Sequence, residues 1–203
     1  MIDTTEQIYE RAISILKQGG IVAAPTDTVY GLLANATNDL AVKKLYKIKN
    51  RSFSKPFVLL VNSIEMAKHL ADFSKEAADI AKHFWEFKKK ALTVILPVKN
   101  ASRLITAERS TIAIRIPNHK LSLELIRGLS SPIVATSANL SGKNTSDSFE
   151  MVKNDFKDKI PLIIDGGKCK NVASTIVNLS KKPFSIVRQG GITKEELTPF
   201  FDY

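Results

Sequence analysis

The chain is short of several things, and each shortage closes off a class of function. Its 203 residues include one cysteine, Cys169, and three histidines. A lone cysteine forms no internal disulfide, which suits a reducing compartment and sets the expectation of a cytoplasmic protein. His69, His83 and His119 form no ligand-spaced pair, and Cys169 has no Cys or His neighbour at metal spacing, so no protein metal ligands are assigned. Met1 leads into Asp3-Thr4-Thr5-Glu6 rather than a basic stretch and an apolar core, so no signal peptide is read. No apolar run approaches the roughly 20 residues that cross a bilayer, and no membrane partner is expected. Neither G-x-x-x-x-G-K-[ST] nor G-x-G-x-x-G occurs; Gly142-Lys143 lacks both the upstream glycine and the following hydroxyl. Aromatic residues make up 7%, with no aromatic-basic strand of the kind that stacks RNA bases. Without repeats, low-complexity tracts or a linker, residues 1–203 are expected to form a single domain.

What is present is an ordinary globular composition, 44% hydrophobic and 25% charged, with a formal net charge of +10. Such a surplus attracts polyanions, although a lysine-rich surface serves solubility as well. Helical and strand patterns alternate, which points to a mixed α/β fold. Asp3, with Glu6 three residues on, is placed to cap a first helix carrying Ile8, Ala12, Ile15 and Leu16, and Gly19-Gly20 ends it. Residues 21–24 read as a buried strand, 25–35 as a loop, and Asn38 as the cap of a second helix. Further strands are expected over 57–61, 92–96, 111–116, 133–136, 162–165, 174–179 and 184–188, and helices over 63–70, 74–87 and from 118. Within 111–116, Ile112, Ile114 and Ile116 face one way, and Thr111, Ala113 and Arg115 the other. Thr193-x-x-Glu196 is a capping box for a short last helix. Together these give a twisted sheet of about seven strands flanked by helices.

Polar clusters gather where strands end. Pro25–Gly31 follows the first strand, Lys49-x-Arg51 follows the second helix, and Ser137-x-Asn139 leaves a strand. Ser174-Thr175 opens a late strand and Arg188-Gln189-Gly190-Gly191 closes the last. Ligands of open α/β sheets collect at strand ends. Cations and neutral donors are what a triphosphate requires when no P-loop is present. Taken singly, each cluster also has a plain reading: a turn, a solvated helix end, a cap. Arg115 differs. Its strand is isoleucine on the other face, so a buried guanidinium there needs a partner, either an anionic ligand or Asp27.

In this order, Pro-Thr-Asp-Thr-Val-Tyr-Gly-Leu (Pro25–Leu32), Lys-x-Arg, Thr-x-Ala-x-Arg-x-Pro (Thr111–Pro117), Ser-x-Asn, Ser-Thr-Ile-Val (Ser174–Val177) and Arg-Gln-Gly resemble the signature of the YrdC-like threonylcarbamoyl-AMP synthases, from about Ile8 to Gly191. The resemblance implies a YrdC/RibB-like fold with a basic concave cavity, in a short form without an extra C-terminal domain. It implies that L-threonine, bicarbonate or CO2, and ATP give threonylcarbamoyl-AMP and pyrophosphate, the first step of the t6A modification of tRNA. Lys49, Arg51, Ser137 and Asn139 become the catalytic candidates. Lys49, Arg51, Thr111, Ser137, Asn139, Thr145 and Arg188 become those for ATP, and Thr28, Tyr30, Arg115 and Thr175 those for threonine. Mg2+ is expected on the phosphates, held by substrate oxygens and water. A downstream tRNA threonylcarbamoyl transferase complex is the implied partner. Two alternatives stand beside this reading: a non-catalytic tRNA or double-stranded RNA binder, and a carbamoyl-transferring relative. The family's Trp-Pro-Gly-Pro turn is replaced here by Trp85-Glu86-Phe87-Lys88-Lys89-Lys90-Ala91, and Ser52 and Leu33 stand where proline and glycine are usual.

Overall fold

The computed structural model describes residues 4–142 and 146–201. Thr4 caps the first helix, α1 (Thr5–Lys17); its hydroxyl accepts from the Gln7 N–H while the Gln7 side chain accepts from the Thr4 N–H. The capping box is therefore one residue later than expected, and Asp3 lies outside the described residues. Then follow β1 (Val22–Ala24), β2 (Gly31–Asn35), α2 (Asp39–Lys49), β3 (Val58–Leu60), α3 (Ile64–Leu70) and α4 (Lys75–Lys82). After a π turn over His83–Phe87 come β4 (Leu92–Pro97), α5 (Arg103–Thr106), β5 (Thr111–Arg115), α6 (Lys120–Leu129) and β6 (Ile133–Ser137). The chain continues through α7 (Phe149–Phe156), β7 (Leu162–Ile163), β8 (Thr175–Asn178), β9 (Ser185–Arg188) and α8 (Lys194–Leu197).

All the strands share one mixed sheet, in the order β7-β1-β2-β6-β3-β5-β4-β8-β9. It has nine strands among the described residues, against about seven expected. β2 is the strand that the sequence pattern hides. Gly31–Ala34 are buried on both faces, so the segment shows no alternation, and the glycine reads as a turn. α5 and α7 also carried no recognised signal; α7 buries only Val152 and Phe156.

The two faces of the sheet are covered unequally. On one, Leu59, Val94, Leu96, Ile112, Ile114, Val134 and Val177 join Val42, Leu45, Ile80 and Phe84 from the helices in one continuous core. On the other, α1 and α6 cover only the β1-β2-β6 side, where Leu16, Leu125 and Leu129 pack on Val22, Leu33 and Ile133. Truncating Leu125 to alanine there removes about 2–5 kcal/mol. Beyond these helices the sheet face is open, and a cavity occupies it.

The end of α2 brings Arg51 to that cavity and places Lys49 behind it. Asn50 sits in the left-handed region (φ 50°), its N–H bonded to the Lys47 carbonyl, and the Arg51 N–H reaches back to the Tyr46 carbonyl. This Schellman turn sends Lys49 toward the end of β6 and Arg51 toward Phe57, just ahead of β3. Because a left-handed residue with a branched side chain is strained by roughly 1–2 kcal/mol, Asn50→Val is expected to lower the urea midpoint, whereas Asn50→Gly leaves it near wild type.

Candidate active site

The cavity has a volume of ≈ 500 Å³. Its floor is a row of small and apolar side chains fixed by register: Ile95 opposite Ala113, Ala113 opposite Val58, Val58 opposite Ala135. Among the described residues five cations line it, Arg51, Lys55, Arg109, Arg115 and Arg188, and no carboxylate does. Strand register sorts these cations into two poles. β3 and β5 are parallel, so Lys55, ahead of β3, and Arg109, ahead of β5, lie off the same end. β6 is antiparallel to β3, which brings Ser137 and the end of α2 to that end too. Arg115, at the far end of β5, lies about 13 Å along the strand from Thr111. β4 and β8 bring Thr93, Ser174 and Arg188 to its end.

At the first pole the organising group is the Lys49 ammonium. It is buried, and its Nζ lies 2.9 Å from both the Asn139 carbonyl and Asn139 Oδ1 and 3.2 Å from Ser137 Oγ, with the Ser137 carbonyl closer still. The Ser137 hydroxyl donates to Asn139 Oδ1. Lys49 therefore does not itself line the cavity; it fixes the Ser-x-Asn turn whose Ser137 does. Burial, with the Arg51 charge nearby, pulls its pKa from 10.5 to about 8. Arg51 spans the Lys55 and Pro56 carbonyls (3.2 and 2.8 Å) and stacks on the Phe57 ring at 5.0 Å.

At the second pole Arg115 is buried, and burial pulls its guanidinium below its ordinary value, an effect that Asp27 opposes. Nη1 lies 3.2 Å from Asp27 Oδ1 and 3.4 Å from the Thr28 hydroxyl, while Nε has no hydrogen-bond partner. Of the two partners considered for Arg115, Asp27 is thus in place, and a guanidinium edge is still unsatisfied. Asp27 is in turn held by the Asn118 N–H at 3.2 Å. Arg188 donates to the Ser174 carbonyl and hydroxyl (2.8 and 3.1 Å). The Ser174 hydroxyl also meets the buried Thr93 hydroxyl at 2.9 Å.

A family profile described as "Telomere recombination", for Sua5, YciO and YrdC proteins, matches residues 14–190. The chain belongs to the Sua5/YciO/YrdC family. It is 39% identical over 97% of its length to a threonylcarbamoyl-AMP synthase of Pyrococcus abyssi, and 40% identical over 97% to one of Bacillus subtilis. It spans 59% and 57% of those relatives' own lengths. The crystal structure of Pyrococcus abyssi Sua5 complexed with L-threonine superposes with a TM-score of 0.92 at 37% identity, covering 100% of this chain and 59% of that one.

The residues singled out from the sequence occupy different places in this Sua5/YciO/YrdC fold. Thr28, Arg51, Arg115, Ser137 and Arg188 line the cavity, and Lys49 and Asn139 stand directly behind Ser137. Thr111 lies at the start of β5, outside the lining. Tyr30 and Thr175 are fully buried elsewhere, with their hydroxyls engaged. Tyr30 donates to the Gly167 carbonyl and accepts from the Gly166 N–H. The Thr175 hydroxyl donates to the Ile192 carbonyl and accepts from the Gly190 and Ile192 N–H groups. Thr145 lies outside the described residues. Lys55, Thr93 and Arg109 line the cavity without having been singled out for it, and Ser174 lines it although only its neighbour Thr175 in the Ser174-Thr175 cluster was given a role. Alternation on β8 would have found Ser174: it shares the Ile176 face, whereas Thr175 and Val177 point into the core. The Lys88–Lys90 segment does not line this cavity; it is tied to α8 by the Lys90–Glu196 ion pair and to Asn118 through the Lys89 carbonyl.

Gly190 of the Arg-Gln-Gly motif is required by contact. A Cβ there would sit 2.3 Å from the Ala173 carbonyl oxygen and 2.5 Å from the Thr175 nitrogen. Thr175→Val strands two N–H groups and a carbonyl, at about 1–3 kcal/mol for each buried group. It is expected to lower stability measurably in urea, with Thr175→Ser recovering most of the loss. The depressed Lys49 pKa gives a second expectation. A polyanion at the first pole stabilises the ammonium, so its binding takes up protons above pH 8, where free Lys49 is neutral, and takes up fewer near pH 7. Calorimetry of tripolyphosphate binding in buffers of different ionisation enthalpy measures this uptake.

Proposed function

We propose that the chain is a threonylcarbamoyl-AMP synthase, a nucleotidyltransferase that makes threonylcarbamoyl-AMP and pyrophosphate from L-threonine, bicarbonate or CO2, and ATP. The observation that carries the reading is the cavity with two cationic poles and no carboxylate among the described residues of its lining. Two anions must meet in this reaction, the carboxylated amino acid and the triphosphate, and their repulsion has to be cancelled. Membership of the family, and the threonine bound to the Pyrococcus abyssi protein, support it.

In this reading the unsatisfied edge of Arg115 takes the threonine carboxylate, with the Thr28 and Ser174 hydroxyls beside it. The threonine amine, after losing a proton to solvent, attacks the carbon of CO2, and the adduct loses a second proton to give N-carboxythreonine as its carbamate. A carbamate oxygen then attacks the α-phosphate, and the bond to the β-phosphate oxygen breaks as pyrophosphate leaves. Arg51 and Ser137 face the charge that develops on the α-phosphate; the loss of one such donor costs about 2.7–4 kcal/mol of transition-state stabilisation. Lys49 and Asn139 hold Ser137 in place. Among the described residues no group of three or more His, Cys, Asp or Glu could hold a metal ion, and the lining has no acid. Mg2+ would be held by the oxygens of the triphosphate, since the lining offers it no acid, and would supply further neutralisation of the phosphate charge.

The single sheet supports reading residues 1–203 as one domain. No helix among the described residues is long and apolar enough to cross a membrane, and we place the protein in the cytoplasm. Its product goes to a threonylcarbamoyl transferase acting on tRNA.

The test is release of pyrophosphate from ATP that depends on both threonine and bicarbonate. Arg115→Ala is expected to raise the threonine KM about tenfold or more while the ATP KM holds. A shift confined to ATP contradicts the assignment of that pole.

A further inference from the structure

Arg109 is given no part in the scheme above, yet it lines the cavity. It lies just ahead of β5, beside Lys55 just ahead of the parallel strand β3. The two segments are fastened together. The Phe57 N–H donates to the Ile105 carbonyl at 2.9 Å, and the Tyr46 hydroxyl lies 3.0 Å from the Lys55 carbonyl and 2.9 Å from that of Leu104. The Tyr46 ring packs on Phe53 and Phe57, and Arg51 lies over Phe57. One aromatic cluster thus supports Arg51, Lys55 and Arg109 around a single mouth.

Among the described residues no acid forms an ion pair with any of the three. The neighbouring Glu108 is turned to Arg103, 3.6 Å away on the exposed side. The polar contact made by the Arg109 guanidinium is a long one, 3.5 Å to the Ser54 carbonyl. Like charges gathered without a counter-ion repel one another, and a polyanion relieves that repulsion.

Direction along the cavity says which part of the ligand belongs here. The α-phosphate must face an acid formed from threonine at the Arg115 end. In an in-line displacement the leaving group lies opposite the attacking oxygen, so the outer phosphates extend away from Arg115, past Ser137, toward the mouth. We propose that Arg109, together with Lys55, binds the β- and γ-phosphates and so selects a triphosphate and holds the departing pyrophosphate. The proposal rests on the synthase reading for its chemistry, while its binding test stands apart from it.

The test is calorimetric titration of wild type, Arg109→Ala and Arg109→Lys with inorganic tripolyphosphate and, separately, with AMP. Arg109 is exposed and weakly bonded, so both variants are expected to fold. Arg109→Ala is expected to weaken tripolyphosphate binding about tenfold, the loss of one charge-assisted contact, and to leave AMP affinity unchanged. Arg109→Lys is expected to recover part of the loss. Unchanged tripolyphosphate affinity in Arg109→Ala, an equal loss for AMP, or a wild type that does not bind tripolyphosphate each overturns the proposal. Wild type that binds tripolyphosphate but releases no threonine-dependent pyrophosphate defeats the synthase reading instead, and the comparison with Arg109→Ala still judges the phosphate site.

Discussion

A buried ammonium held by neutral oxygens is the contact on which the site depends. Lys49 lies at the end of α2, and its acceptors lie at the end of β6, nearly ninety residues on. A lysine at such a place would be expected to find a carboxylate, because an unpaired buried charge is costly. It finds carbonyl and amide oxygens instead. These satisfy the ammonium without cancelling its charge, and the positive field persists toward the cavity. Had Asp stood in place of Asn139, the clamp would be stronger as an ion pair and the pole would be neutral. The Lys-x-Arg and Ser-x-Asn motifs therefore work as one unit: one lysine ties the loop, one serine is fixed by it at the cavity, and one arginine from the same turn lines the cavity too.

The sheet's mixed pairing does the rest. In a purely parallel sheet every loop that follows a strand lies at the same edge, and the expected site would have been a crevice along that edge. Here parallel and antiparallel pairs are mixed, so loops from both ends of the sheet reach around one uncovered face. The ligand would lie across the strands rather than beyond them. This is how motifs far apart in the chain end at opposite ends of one hollow, and why Arg115, placed within a strand, belongs to the site along with residues of the loops.

The sequence made some of this visible and hid the rest for reasons that can be named. β5 was plain because one of its faces is pure isoleucine and the other carries Arg115. The closing capping box at Thr193 and Glu196 was plain because both partners are local. β2 was hidden because a strand buried on both faces does not alternate. Tyr30 and Thr175 stood out as polar residues inside a recognisable motif, but a motif records which residues are needed without recording the purpose. Both fasten backbone turns behind the cavity wall. Lys55 and Arg109 were missed for the converse reason: exposed cations in a chain with so many are unremarkable until a fold sets them at one mouth.

The floor has a consequence of its own. Ala113 and Ala135 sit in the same cross-strand row, and the hollow exists where their side chains stop. Their neighbours Val58 and Ile95 are already large. A single-base change in either alanine codon, to valine, would raise the floor while leaving the cations, the turns and the sheet pairing untouched. Two methyl groups therefore set the size of molecule that can lie there, and lineages that drift at these positions would change their diet before they lost their fold.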